Sequence, residues 1–318
     1  MRAVLIVNPN ATSTTPAGRD LLAHALESRT TLSVAHTDHR GHAIEIAAEA
    51  ARGGVDVVIV HGGDGTVNEV VNGILGELGP GNRGPAVGVV PGGSANVFAR
   101  ALGISPDPLE ATNQLVDLLS EYRRTRRWRR IGLMDCGERW AVFTAGMGVD
   151  GAVVAAVEEQ RAKGRKVTAA RYIRVAIREV LASAREEPTL TLHLPDRDPI
   201  SGVHFAFVSN SSPWTYANAR PVWTNPDTTF DTGLGVFATT SMNVWANLRL
   251  VRQMLSRKPR LTAKHLVRDD DLAGLTVTSD GPVACQIDGD FIGAREKMTF
   301  TAVPDALAVV APRATDHS

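Results

Sequence analysis

Along the first third of the chain, short unbroken apolar runs alternate with segments whose apolar residues recur every third or fourth position. Ala3–Val7 has no polar residue, the pattern of a strand buried on both faces. Thr15-Pro16 then offers a cap and first-turn pair, and Leu21, Leu22, Ala25 and Leu26 line one helical face. Leu32–Thr37 reads as a second strand, and His42–Arg52 as a helix closed by Gly53-Gly54. Val55–Val60 is a third strand, Thr66–Leu75 a helix and Ala86–Val90 a fourth strand. Asn96–Leu102 and Leu109–Tyr122 read as helices. Repeated strand–helix units require right-handed crossovers and a parallel sheet covered on both faces. The expectation is a Rossmann-like α/β domain over residues 1–130.

Near residue 130 the pattern changes. Thr189–Leu194, His204–Asn210, Gly233–Thr239, Leu275–Ser279, Val283–Ile287 and Lys297–Ala302 alternate or are β-branched, with turn residues between them. Two helices interrupt them, Ala169–Arg185 and Val244–Ser256. This reads as an antiparallel β-sandwich domain over 131–303. The last apolar run, Leu307–Val310, is expected to return to the first domain with a segment of about 304–313.

Composition narrows the partners. Basic and acidic residues balance at 34 each, so no global field draws the molecule to nucleic acid. With aromatics at only 5 %, no base-stacking platform is visible either. Cys136 and Cys285 have no metal-ligand spacing and exclude a disulfide framework, which fits a reducing cytoplasm. No apolar stretch approaches the ~20 residues of a spanning helix. The N-terminal run stops at Asn8-Pro9, too short for a secretory signal. A soluble, cytoplasmic protein is expected, meeting any lipid at the membrane surface.

Three turns carry the chemistry. Gly62-Gly63-Asp64-Gly65-Thr66 lies between a buried strand and a helix start, where unpaired N–H groups and the helix dipole favour an anion. Its glycines are expected to allow positive φ and close approach to a ligand. An aspartate beside phosphates makes sense if it holds Mg²⁺ or accepts a proton. Pro91-Gly92-Gly93-Ser94-Ala95-Asn96 follows the fourth strand, and Asn8-Pro9-Asn10-Ala11-Thr12 follows the first. In a parallel sheet all three gather at strand carboxyl ends, where ligands bind.

These blocks, with Val67-Asn68-Glu69-Val70-Val71-Asn72-Gly73 and Val97-Phe98-Ala99-Arg100, resemble the catalytic domain of diacylglycerol and sphingoid-base kinases. The resemblance continues in Ala145–Gly151 and in Ile287-Asp288-Gly289-Asp290. It implies ATP and Mg²⁺ as cofactors, and transfer of phosphate to a hydroxyl of diacylglycerol or a related lipid. It also implies a nucleotide-binding domain followed by a β-sandwich, and a homodimer as one possible assembly. By the same resemblance Asn8, Pro9, Asn10, Ala11, Thr12, Thr37, Gly62, Gly63, Asp64, Gly65, Thr66, Val67, Asn68 and Ser94 are nucleotide contacts. Asp64 would organise Mg²⁺ and the phosphates. The family's Asp-Gly-Glu element, often assigned the base, is here Asp288-Gly289-Asp290, so Asp290 and Asp64 are rival proton acceptors. Read without the family, Asp-Gly at this point is a hairpin turn. Asp231-Thr232 stands where relatives carry two carboxylates associated with a structural Mg²⁺; Thr232 removes one hard oxygen ligand, leaving Asp231.

Other readings stay open. NAD kinases share the Gly-Gly-Asp-Gly-Thr loop, but the Pro91–Arg100 block looks like the lipid branch. A non-catalytic ATP-binding regulator would fit the departures at Thr232 and Asp290. Gly146-Met147-Gly148-Val149-Asp150-Gly151 spells a dinucleotide motif without the βαβ continuation that motif needs, and reads better as a close-approach turn. The basic stretches Arg123–Arg130 and Arg161–Lys166 are either anionic-lipid contacts or solvated surfaces.

Overall fold

The chain opens with four strand–helix units whose strands lie parallel. The structure, a computed structural model, describes residues 1–11, 16–162, 187–217, 220–257 and 259–313. In chain order the first unit contains β1 (Arg2–Val7), α1 (Pro16–Glu27), β2 (Thr31–His36), α2 (His42–Arg52) and β3 (Val57–Gly62). It continues with α3 (Asp64–Leu78), β4 (Ala86–Pro91), α4 (Val97–Ala101) and α5 (Pro108–Thr125). The strand order is β2-β1-β3-β4, all parallel. Every residue of β3 and β4 is buried, as the unbroken apolar runs require. Gly73 sets the packing of α3 on α2: a Cβ there would stand 2.3 Å from the carbonyl oxygen of Ile44. Asp107 caps α5, its Oδ1 accepting from the N–H of Leu109 and Glu110, with Pro108 in the first turn. The third strand starts and ends two residues later than the apolar run suggests, because His61 and Gly62 continue the ladder.

The unit formed by Met1–Leu133 also includes the segment that begins at Val303. There Val309 pairs in parallel with Val87 of β4, and the N–H of Val310 donates to the carbonyl of Val87 at 2.9 Å. Arg129 and Arg130 bind carbonyls of the same segment, those of Pro312 and Asp305 respectively. Trp128 stacks on Tyr122 at 3.7 Å. The first basic stretch thus contains arginines held by this unit's own backbone.

The second unit, Met134–Ala302, is antiparallel. Its elements follow β5 (Arg129–Asp135), which carries the chain into it: β6 (Trp140–Ala141), β7 (Thr144–Gly148), α6 (Val149–Ala162), β8 (Leu190–His193), β9 (Ile200–Val203) and β10 (Phe205–Ser209). Then come β11 (Thr215–Ala217), β12 (Arg220–Val222), β13 (Leu234–Thr239), α7 (Val244–Met254), β14 (Leu266–Leu272), β15 (Gly274–Ile287) and β16 (Asp290–Val309). One row runs β14-β13-β10-β7-β15, while the first half of β15 pairs with β8, which pairs with β9. The register of β15 against β16 shifts between Thr278 and Val283, so one strand serves both rows. Leu192, Val208, Val236, Val277, Ile287 and Phe300 pack one core between them. Sequence pattern missed β14, whose Asp269-Asp270-Asp271 run masks its strand character. The expected helix Ala169–Arg185 lies outside the described residues.

Gly146-Met147-Gly148 sits on β7 between the antiparallel strands β10 and β15. A Cβ on Gly148 would stand 2.6 Å from the carbonyl oxygen of His204, and one on Gly151 2.3 Å from that of Ala284. These glycines admit neighbouring backbone, and the parallel βαβ setting of a dinucleotide site is lacking.

Candidate active site

From β1 the chain crosses to β2 on one side and returns to form β3 on the other. That reversal opens a crevice at the carboxyl ends of β1 and β3, the place where open α/β sheets bind ligands. Asn8 follows β1, and its N–H donates to the carbonyl of His61 at 3.0 Å. Its Nδ2 donates to Thr66 Oγ1 at 3.1 Å and its Oδ1 accepts from the N–H of Asn10 at 2.9 Å. Pro9, Asn10 and Ala11 form the turn, with the N–H of Ala11 returning to the carbonyl of Asn8. Thr37 joins the same edge through its N–H to the carbonyl of Val7 at 2.9 Å. Thr12 lies outside the described residues.

The glycines of the two loops work differently from the expectation of positive φ. Gly63 is extended (φ −91°, ψ −178°), and Gly62, Gly65, Gly92 and Gly93 are likewise absent from the left-handed region. They serve the contact of loop on loop. A Cβ on Gly92 would stand 3.0 Å from the Cα of Gly62, and one on Gly93 2.8 Å from the Cα of Gly63. Gly65 is the exception: it is exposed, and an added Cβ would meet nothing within 4 Å. Among the described residues nothing requires a glycine there, so the space suits a ligand approaching the backbone. Helix α3 begins at this point with no side-chain cap at Gly63, leaving first-turn N–H groups for an anion. The donors of this glycine cradle suit an anionic group such as a phosphate.

Asp64 locks the loops together. Its Oδ2 accepts from the N–H of Val97 at 3.0 Å and its Oδ1 from that of Phe98 at 3.1 Å. It therefore caps α4, whose own Asn96 is left-handed (φ 50°) and bound both ways to Gly93. Burial pushes the Asp64 carboxyl above its ordinary 3.8, against the lowering effect of the N–H groups of Val97, Phe98 and Asn96. Sequence reasoning saw a metal ligand or proton acceptor; the geometry shows a carboxylate with both oxygens on backbone donors. Val67 and Asn68 are buried, so they support the loop from behind, whereas Ser94 is exposed on the second loop. His61 is buried and loses basicity to that burial, with Nδ1 3.3 Å from the carbonyl of Val90.

Glu69, absent from the expected contacts, caps the neighbouring helix α2. Its carboxylate accepts from the N–H of Gly41 at 3.0 Å and of Ala43 at 3.3 Å. Beside it, Asp38, His39 and His42 bring potential metal-ligating atoms within 4.8 Å of one another. The carboxylate of Asp38 bonds both imidazoles, which stack at 4.7 Å. The hydrogen bond that His39 donates to the Asp38 carboxylate raises the pKa of His39. Only the adjacency of Asp38-His39 and the spacing to His42 hinted at this group.

In the second unit, Asp288 and Gly289 are the two turn residues of the β15–β16 hairpin, both with positive φ (49° and 81°). That is the type I′ geometry that Asp-Gly favours. Asp288 is buried, and its oxygens accept from the N–H of Val142, Phe143 and Thr144 at 2.6, 3.0 and 2.9 Å. Asp290, the next residue after the turn, binds the Arg139 guanidinium at 2.8 Å. Asp231 is exposed in a turn where Thr232 accepts from the N–H of Thr229 and donates back to its carbonyl. Among the described residues, Asp231 does not gather two further candidate metal ligands.

Residues 2–124 match the model of the diacylglycerol kinase catalytic domain. A "Probable lipid kinase YegS-like" protein of Chromohalobacter salexigens is 42 % identical over 96 residues, 30 % of each chain. The diacylglycerol kinase of Bacillus subtilis is 40 % identical over 125 residues, 36 % of this chain and 38 % of that one. The chain thus matches about a third of the length of these relatives. A crystal structure of a diacylglycerol kinase from Bacillus anthracis str. Sterne superposes with a TM-score of 0.71 over 98 % of this chain and 97 % of that one, at 18 % identity. The likeness to the solved structure shows a shared fold, and the family-model match lies within the first unit.

Proposed function

We propose that this protein is a lipid kinase, transferring the γ-phosphate of ATP to a hydroxyl of diacylglycerol or a related lipid alcohol. One observation carries the reading: two glycine loops at adjacent strand tips, locked by Asp64, frame the uncapped start of α3 beside the open space at Gly65. Phosphoryl transfer needs alignment and charge neutralisation more than covalent help from the protein. The N–H groups of this helix start would bind and orient the phosphates. Bound ATP–Mg²⁺ would supply the phosphoryl group; we assign the cation no ligand on Asp64, whose oxygens accept from backbone N–H groups.

Asp64 is accordingly a positioning residue, and Asp290 is assigned the role of accepting the hydroxyl proton. The Arg139 guanidinium fixes the direction of the Asp290 carboxylate. The test is transfer of labelled phosphate from ATP to a panel of diacylglycerol, sphingoid base and ceramide, with NAD as a further acceptor. Labelled lipid is expected. Label on NAD alone, or tight ATP binding with no product on any acceptor, would overturn the proposal.

A further inference from the structure

We infer that the outward face of α7 and the basic groove beside it form a docking surface for an anionic lipid bilayer. The helix is anchored on one side only. Leu250 and Met254 are buried against Phe237 and Leu261, and Asn247 ties its start to the carbonyl of Ser241. At 100° per residue these three positions share a face, which places Trp245, Leu248, Arg249 and Arg252 on the outward side and Val251 at its edge. Trp245 is 80 % exposed, Leu248 59 % and Val251 47 %. The other exposed large apolar side chains, Leu21, Val34, Ile44 and Leu109, stand singly on α1, β2, α2 and α5. Three on consecutive turns of one helix are a patch, and patches of this kind mark interaction sites.

Charge decides the occupant. The chain as a whole is neutral, yet no aspartate or glutamate occurs between Asp231 and Asp269. Within that stretch Arg249, Arg252, Arg257, Arg260 and Lys264 make no ion pair among the described residues. Arg249, Arg260 and Lys264 line an open groove of about 920 Å³ beside the helix, shared with Arg268 and a single carboxylate, Asp227. Arg268 binds that carboxylate and Asp270, so the other three cations face the groove uncompensated. An interfacial helix combines this mixture: an aromatic and aliphatic ridge that enters the headgroup boundary, with arginines interleaved to reach lipid phosphates. A second copy of the chain would instead set the same arginines against one another. No helix among the described residues is long and apolar enough to cross a membrane.

The inference deepens the lipid-acceptor reading by naming the face that meets the bilayer, and it is testable without catalysis. The full chain is sedimented with vesicles of phosphatidylglycerol and phosphatidylcholine, and with vesicles of phosphatidylcholine alone. Wild type should partition to the anionic vesicles and be released by salt. Two variants, Trp245→Ser/Leu248→Ser and Arg249→Glu/Arg252→Glu, should each lose partitioning by about tenfold or more. Both should retain the wild-type unfolding midpoint and turnover of a dispersed short-chain acceptor. Two independent pairs are changed, so a folding defect in one leaves the other decisive. Equal partitioning by wild type and both variants, no partitioning by wild type, or a dimer that the substitutions dissolve would each overturn the inference. Loss of turnover on every acceptor, with partitioning intact, would sink the kinase reading alone.

Discussion

Asp64 in the parallel unit and Asp288 in the antiparallel unit both accept hydrogen bonds from consecutive backbone N–H groups across long sequence separations. Asp64 reaches Val97 and Phe98; Asp288 reaches Val142, Phe143 and Thr144. The consequences differ. Asp64 satisfies the start of α4 while its own helix, α3, stays without a side-chain cap, so the clamp leaves donors for a ligand. Asp288 uses its carboxylate on a bend of the same unit and turns the hairpin so that Asp290 follows on the next strand. One clamp leaves a helix start without a side-chain cap, the other sits two residues before a further carboxylate.

The comparison is broken most directly at Asp288. Asp288→Ala leaves three buried N–H groups without their charged acceptor and should cost about 3–5 kcal/mol of stability. Chemical denaturation reads it; a loss below about 1 kcal/mol would mean water replaces the carboxylate. Asp64→Asn should cost less, about 1–2 kcal/mol, because one amide oxygen still accepts, while ATP affinity falls at least about tenfold as the loops part. Its pH dependence has a definite sign. Burial raises the folded-state pKa of Asp64 above 3.8, so the folded protein holds this proton more tightly than the unfolded chain. The stability it contributes is present below 3.8 and is lost as pH rises through the folded value. The stability of wild type relative to Asp64→Asn should therefore fall with rising pH across that window; a rise would contradict the burial argument.

Gly65→Ala sharpens the contrast between what the fold and what a ligand demands. In a helix with open space at the new Cβ, it should stabilise the protein by about 0.5–1 kcal/mol and yet weaken ATP binding in a titration. Unchanged affinity would remove the ligand explanation for this glycine. Smallest in stability is Asp290→Asn, which should change it by less than about 1 kcal/mol, since its ion pair with Arg139 is partly exposed. Turnover should nonetheless drop by about 10²–10⁴ with ATP binding retained. Turnover within a factor of about three would move the proton acceptor elsewhere.

Much was legible without coordinates. Unbroken apolar runs such as Ala3–Val7 and Ala86–Val90 can be buried on both faces only in a covered parallel sheet, and the three loops after them must then gather at one edge. Asp-Gly between two β-rich runs announced its hairpin. Residue type and spacing also flagged Asp64 and Gly65. What each does was decided by partners far along the chain: the N–H groups that bind Asp64 lie 33 and 34 residues away, and those of Asp288 about 145. Local pattern encodes burial and turn geometry, because these depend on neighbouring side chains. The use of a carboxylate depends on which donors the fold delivers to it, and a sequence does not display that.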